Sequence, residues 1–123
     1  MEKTKMLKKN YEYRNVLSRG KYFSGKNIEA FVFKNNSRDN MNFIGIAIGV
    51  KIAKAVERNR IKRLIRENYR RLESNINTGY SIVFLCKKKA ILEDVNFHSV
   101  EDDLIKILKK SKILVENNEK NIN

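Results

Sequence analysis

Hydrophobic positions along the chain switch period several times, and each switch marks an element. From Asn10 the spacing is helical over a short stretch, with Tyr13, Val16 and Leu17 on one side, Asn10 as N-cap and Gly20 as the stop. Ile28 to Lys34 alternates, placing Glu29, Phe31 and Phe33 on one face and Ile28, Ala30 and Val32 on the other, which predicts a strand. The polar residues Asn35 to Asn42 read as a hairpin loop into a second strand, Phe43 to Val50. There Ile44, Ile46, Ile48 and Val50 form a large apolar face, while Gly45, Ala47 and Gly49 leave the other almost bare. A bare face admits close approach, either by a tightly packed helix or by a polymer backbone lying on a groove floor.

The helical period returns near 54–74, where Ile61, Leu64, Ile65, Asn68, Tyr69 and Leu72 share one side. Asn59, Arg63, Arg66 and Arg70 fall on the opposite side, with Lys62 beside them. Tyr80 to Cys86, preceded by Gly79, is apolar enough to be buried on both faces and therefore central, and Lys87, Lys88 and Lys89 project from its end. A last helix, about Asn96 to Val115, has Phe97, Val100, Leu104, Ile107 and Leu108 at helical spacing. Glu101, Asp102 and Asp103 sit in its first turns, where the helix dipole favours anions. Residues 1–9 read as a Lys-rich arm that orders only on a partner, and 116–123 as a frayed tail. Without an internal repeat or a proline to mark a linker, the 123 residues are expected to form one domain, 1–123.

Charge changes the picture from a small α/β domain to a binder. The chain carries 27 Lys+Arg against 14 Asp+Glu, a net +13. Such an excess destabilises a compact state by self-repulsion, and a polyanionic partner is the simplest reason for it. Residues 1–50 contribute +6, residues 51–71 contribute +7 and the remainder nothing. Six of the nine arginines (Arg58, Arg60, Arg63, Arg66, Arg70 and Arg71) crowd into 58–71, where Lys62 is the only lysine. Arginine presents a planar fork of donors suited to phosphates and base edges, so this concentration points to an oriented contact. A merely solvated helix face would mix signs to gain i,i+4 pairs, and only Glu57, Glu67 and Glu73 offer any.

Catalytic chemistry is not visible in the side chains. The single histidine, His98, has no second His or Cys at ligand spacing, no phosphate-cradling Gly-rich loop occurs, and the acidic neighbours Glu93–Asp94 and Asp102–Asp103 do not share a face. Cys86 lies in an apolar run and reads as a small hydrophobe rather than a nucleophile. The longest apolar stretch, Ile82 to Cys86, is far too short to span a bilayer, and the Lys-rich start lacks the apolar segment of a signal peptide. A cytoplasmic protein without a membrane partner is expected.

The stretch Ile52-Ala53-Lys54-Ala55-Val56-Glu57-Arg58-Asn59-Arg60-Ile61-Lys62-Arg63-Leu64-Ile65-Arg66 resembles the Arg-Asn-Arg signature of the bacterial ribonuclease P protein subunit. The likeness extends from Leu7-Lys8-Lys9 through the Tyr13 to Gly20 helix and the Ile44-Gly45-Ile46 strand to the closing helix. It implies an α/β (α+β) sandwich in the order αβββαβα, with a small central sheet, a left-handed βαβ crossover and a short added terminal strand that the residues do not locate. The usual right-handed preference would not have suggested that crossover. The implied function is the protein part of ribonuclease P, an endoribonuclease in which a catalytic RNA subunit, using bound Mg2+, removes the 5′ leader of precursor tRNA. The implied partners are that RNA and precursor tRNA, with one protein monomer per RNA. Carried over by position, Arg58, Asn59, Arg60, Lys62, Arg63 and Arg66 face the RNA subunit, with Arg70 extending the stripe, no metal held directly and any metal contact near Asn59. Tyr13 and Phe31 match a leader cleft, floored by the bare residues Gly45, Ala47 and Gly49, while Leu17 stands where an aromatic is common. A ribosomal or general RNA-binding protein accounts equally well for size and charge but not for the signature, and a protein-only nuclease would cleave without an RNA subunit.

Overall fold

The apolar run Tyr80–Cys86 becomes the middle strand of a five-stranded sheet. A computed structural model describes residues 1–36 and 39–115. In chain order the elements are β1 (Thr4–Met6), α1 (Asn10–Arg19), β2 (Lys21–Ser24), β3 (Ile28–Lys34), β4 (Asn42–Ala47), α2 (Ala55–Leu72), β5 (Tyr80–Cys86) and α3 (Phe97–Lys110), with single 3-10 turns at Glu73–Asn75 and Leu92–Asp94. This is the expected αβββαβα order with its short terminal strand now located at the N-terminus. The sheet order is β1-β4-β5-β3-β2, with β1/β4 and β4/β5 parallel and the other pairs antiparallel. The β4–α2–β5 unit is therefore the parallel crossover. No described helix is long and apolar enough to cross a membrane.

Several expectations change. β3 and β4 are not a hairpin, because β5 inserts between them; a strand apolar on both faces needs a paired, covered position, which an edge cannot give. The N-terminal residues are not a free arm: Thr4 is buried with its Oγ1 2.8 Å from the Tyr69 hydroxyl. The Asn42 N–H donates to the Lys3 carbonyl, and Leu7 is buried with its N–H bonded to Ile44. Lys3, Lys5, Lys8 and Lys9 stay exposed, as do Met1 and Glu2. Asn10 is the first helical residue and not the cap; Lys9 occupies that position, and Glu12 accepts the N–H groups of Lys8 and Lys9. Those two hydrogen bonds hold the Glu12 carboxyl below its ordinary pKa. β4 ends at Ala47, leaving Val50 74% exposed in the following turn although Ile48 remains buried. The last helix stops at Lys110, after which Lys112 takes φ 65°, Ile113 returns to the core and Leu114 bridges to Ile76. The expected frayed tail, 116–123, lies outside the described residues.

Helices α2 and α3 cover one sheet face, burying Ile28, Ala30, Ile44, Ile82 and Phe84 against Ile61, Ile65, Tyr69, Leu104, Ile107 and Leu108. Cys86 belongs to this core, and burial, with Glu29 and Asp103 nearby, pushes its thiol pKa up, away from nucleophilic use. On the other face α1 packs Val16 with Leu7 and Val83. The start of α3 is capped reciprocally, Asn96 Oδ1 accepting from Ser99 N–H and Ser99 Oγ from Asn96 N–H.

Asp103 is more than a dipole partner. It is buried, and its carboxylate accepts three backbone N–H groups from the β2–β3 turn: Lys26 on Oδ1 at 2.8 Å, and Asn27 and Ile28 on Oδ2, each at 2.9 Å. A side chain at Gly25 would strike it, a Cβ there lying 2.4 Å from Oδ1. Replacing Asp103 with Ala leaves three inward-facing donors without their charged acceptor. The expected loss is about 3 kcal/mol or more of unfolding free energy, read by urea denaturation; a loss below about 1 kcal/mol would contradict this role.

Candidate nucleic-acid interface

Helix α2 divides its cations between two uses. Asn59, Arg63, Arg66 and Arg70 are exposed on the side away from the core, with Lys62 half-buried beside them. Among the described residues the one ion pair along this face is loose, Arg63 Nε to Glu67 at 4.0 Å. Arg71, a little further on, leans over the Phe97 ring at 5.1 Å and reaches Glu101 at 3.7 Å. Arg60 turns inward instead: Nη1 donates to the Val95 carbonyl at 2.6 Å, Nη2 to the Leu92 carbonyl at 3.1 Å, and Nε and Nη2 both reach Glu57. It ties the first turns of α2 to the segment between β5 and α3. Arg58 likewise spends Nη1 on the Ala53 carbonyl, closing the turn that leads into the helix. The resemblance counts both among the residues that face the RNA subunit; their partners here, backbone carbonyls brought in by folding, leave no mark in the sequence.

The second surface is the sheet face under α1. The Tyr13 ring lies against Gly45, where an added Cβ would come within 2.4 Å of Cε2. Gly20, at the other end of α1, meets Phe31 and Val32 of β3. The helix therefore crosses the sheet from β4 to β3 over β5. Cross-strand register puts Tyr22, Phe31, Val83 and Gly45 in one row and Ser24, Glu29, Leu85 and Ala47 in the next. Beside the helix runs a groove of about 520 Å³ lined by Asn10, Tyr13, Arg14, Leu17 and Ala47.

Of the residues expected in a cleft, Tyr13, Leu17 and Ala47 come together in this groove, and Phe31 is half-buried on the same sheet face. Gly45 lies beneath Tyr13 and serves packing, and Gly49 sits past the end of β4, exposed beside Ile52. Sequence reasoning missed β2, a four-residue strand with too few positions to show a period. With it came Tyr22, whose ring is 5.4 Å from that of Phe31 and whose hydroxyl donates to Glu29 Oε2 at 2.5 Å. That hydrogen bond pushes the Tyr22 phenol above its ordinary pKa. The surroundings of Asn59 do not fit a magnesium site of the protein's own. Its nearest acid in sequence, Glu57, is engaged by Arg60, and among the described residues no cluster of three His, Cys, Asp or Glu could hold a metal ion.

Comparison with known proteins places these surfaces in a family. The family model described as Ribonuclease P matches residues 1–112. The "Ribonuclease P protein component" of Natranaerobius thermophilus is 38% identical over 111 residues, 90% of this chain and 93% of that protein. That of Clostridium botulinum (strain Langeland) is 38% identical over 112 residues, 90% and 97% respectively. Among solved structures, the RNase P protein of Staphylococcus aureus superposes with TM-score 0.76 at 26% identity, covering 89% of this chain and 96% of that one. That of Thermotoga maritima gives TM-score 0.76 at 29% identity, covering 86% and 96%.

The two classes of arginine on α2 separate by experiment. Replacing Arg63 and Arg66 together with Ala is expected to lower the slope of log affinity for structured RNA against log salt by roughly 1.4 to 1.8, two phosphate contacts' worth, without loss of stability. Arg60→Ala is expected to lower unfolding free energy by about 2 kcal/mol and leave the slope in place. Equal slopes for the double variant and the parent would remove Arg63 and Arg66 from the interface.

Proposed function

As the chain belongs to the ribonuclease P protein family and is a protein component that works with the RNA subunit, we propose that it uses its two surfaces for two RNAs at once. The exposed face of α2, with Arg63, Arg66, Arg70 and Asn59, docks on the catalytic RNA. The groove along α1, with Tyr13, Leu17 and Ala47 and with Phe31 on the same sheet face, takes the single-stranded 5′ leader of precursor tRNA. The observation that carries this reading is their placement: α2 and α1 pack on opposite faces of one sheet, so occupying one surface leaves the other free.

The protein's own residues bind and orient. Guanidinium forks meet phosphates bidentately on the RNA body, and an aromatic ring on the sheet gives a leader base a stacking platform with little sequence preference, worth about 1–3 kcal/mol per base. Hydrolysis of the leader phosphodiester falls to the RNA subunit with its Mg2+. The proposal extends to one protein monomer per RNA and to the cytoplasm, where bacterial precursor tRNA is trimmed. Arg58 and Arg60 serve by fixing the start of α2 so that Asn59, Arg63 and Arg66 are presented together.

Two measurements test the reading. Mixing the protein with a catalytic RNA of the family and precursor tRNA at low magnesium should give leader removal that falls off when either the protein or the RNA is omitted. Cleavage by the protein alone would indicate a protein nuclease, and no dependence on the protein would leave a general RNA binder. Replacing Phe31 with Ala should weaken holoenzyme binding of leader-bearing precursor by about tenfold while leaving binding of mature tRNA unchanged; equal losses for both would remove Phe31 from the leader path.

A further inference from the structure

A separate site lies where β2 stops short. Along β3 the odd-numbered residues bond toward β5, as the Asn35 N–H to Gly79 carbonyl and the Lys87 N–H to Asn27 carbonyl bonds establish, both 2.9 Å. The even-numbered residues face β2, as in the Gly25 N–H to Ile28 carbonyl bond of 2.8 Å. β2 begins at Lys21, opposite Val32. Lys34, the next even residue, therefore turns its backbone N–H and carbonyl to an edge that β2 does not cover. Bare edge groups of this kind invite a partner with matching donors and acceptors.

A cavity of about 250 Å³ opens at this edge, lined by Arg19, Lys21, Phe33, Lys34 and Tyr80 among others. Its chemistry is mixed in a particular way. The Arg19 guanidinium lies over the Phe33 ring at 5.6 Å, a flat cationic platform. Lys21 and Lys34 are exposed, and neither they nor Arg19 form a salt bridge among the described residues. The cavity shares no lining residue with the groove along α1 and none with α2.

We propose that this edge cavity is a nucleotide-binding site, distinct from both RNA surfaces described above. Two unpaired ammonium groups supply the charge for a phosphate, and the Arg19–Phe33 stack and Tyr80 supply flat surfaces for a base. The adjacent N–H and carbonyl of Lys34 present the donor–acceptor pair that matches a base edge with an acceptor beside an amino group, as in adenine or cytosine. A purely apolar ligand would leave the lysines and the edge groups unused, and a bare anion would leave the aromatic walls unused. The nucleotide is either free in solution or one unit of a passing RNA strand.

The test is a ¹H–¹⁵N NMR titration of the full chain with adenosine 5′-monophosphate, inorganic phosphate and hexaadenylate in turn. Adenosine 5′-monophosphate should shift the amides of Lys21, Phe33 and Lys34 saturably. The variant Lys21→Ala/Lys34→Ala should weaken it at least tenfold, and Lys34→Glu should do the same. Arg63→Ala/Arg66→Ala, which removes two cations elsewhere, should leave that affinity within twofold. The unliganded spectrum of each variant reports whether the fold is intact. Hexaadenylate binding tighter than the monophosphate at the same amides supports the site with an RNA strand as occupant; equal or weaker binding supports it with a free nucleotide. Inorganic phosphate binding as tightly as the monophosphate would overturn the proposal in favour of a simple anion cluster. Shifts confined to α2 or the α1 groove, or an unchanged affinity in both lysine variants, would overturn it as well.

Discussion

The contact between the Tyr13 ring and Gly45 sets the geometry of the groove along α1. A methyl group at position 45 would enter the ring, so the absence of a side chain is what lets α1 lie down on β4 at that point. From there the helix must cross β5 to reach β3, where Gly20 allows a second close approach. Val16 then meets Val83, and the next row of the sheet, with Ala47 at one end and Glu29 toward the other, is left beside the helix and not under it. The groove is thus a consequence of where two glycines permit contact. Tyr13 is shared between packing and groove wall, which ties the shape of the site to the stability of the small second core.

Charge is handled by division of labour. A chain with +13 could dissipate repulsion through mixed surface pairs, yet the arginines of α2 divide by task. Arg60 and Arg58 spend donors on backbone carbonyls of the segments that flank the helix, Arg71 reaches Glu101, and among the described residues Arg63, Arg66 and Arg70 are left with one loose pair. Arg60 is suited to its task because its planar fork reaches two carbonyls and Glu57 at once, which an ammonium could not do. Asp103 plays the matching role with the opposite sign, gathering three N–H groups of one turn onto α3. Inward charges thus stiffen the frame, and outward charges are presented on it.

Much of this was legible in the residues. The core side of α2, the double burial of β5 and the alternation of β3 follow from period alone, and the Arg-Asn-Arg stretch carried the family resemblance. The hairpin reading of β3 and β4 failed because sequence neighbours are the default pairing, and only the need to cover β5 on both sides overrides it. The N-terminal residues looked like a free arm because Lys3, Lys5, Lys8 and Lys9 dominate their composition; Thr4 and Leu7, which hold the segment down, are single positions without a period. Glu101, Asp102 and Asp103 looked alike, and only folding distinguishes the one that meets the β2–β3 turn. Of the bare positions Gly45, Ala47 and Gly49, only Gly45 takes a close approach; the three residues read as one floor serve three ends, packing, groove and turn.

The central claim is that one scaffold holds two RNAs on opposite faces, and site-directed cross-linking tests it most directly. With Cys86 replaced by Ala, a photoreactive group is attached to a cysteine at Ala47 or, separately, at Arg70, and each protein is assembled with the catalytic RNA and precursor tRNA. Cross-links from position 47 should map to leader nucleotides and those from position 70 to the RNA subunit. The reverse assignment, or both positions reaching the same RNA, would contradict the account.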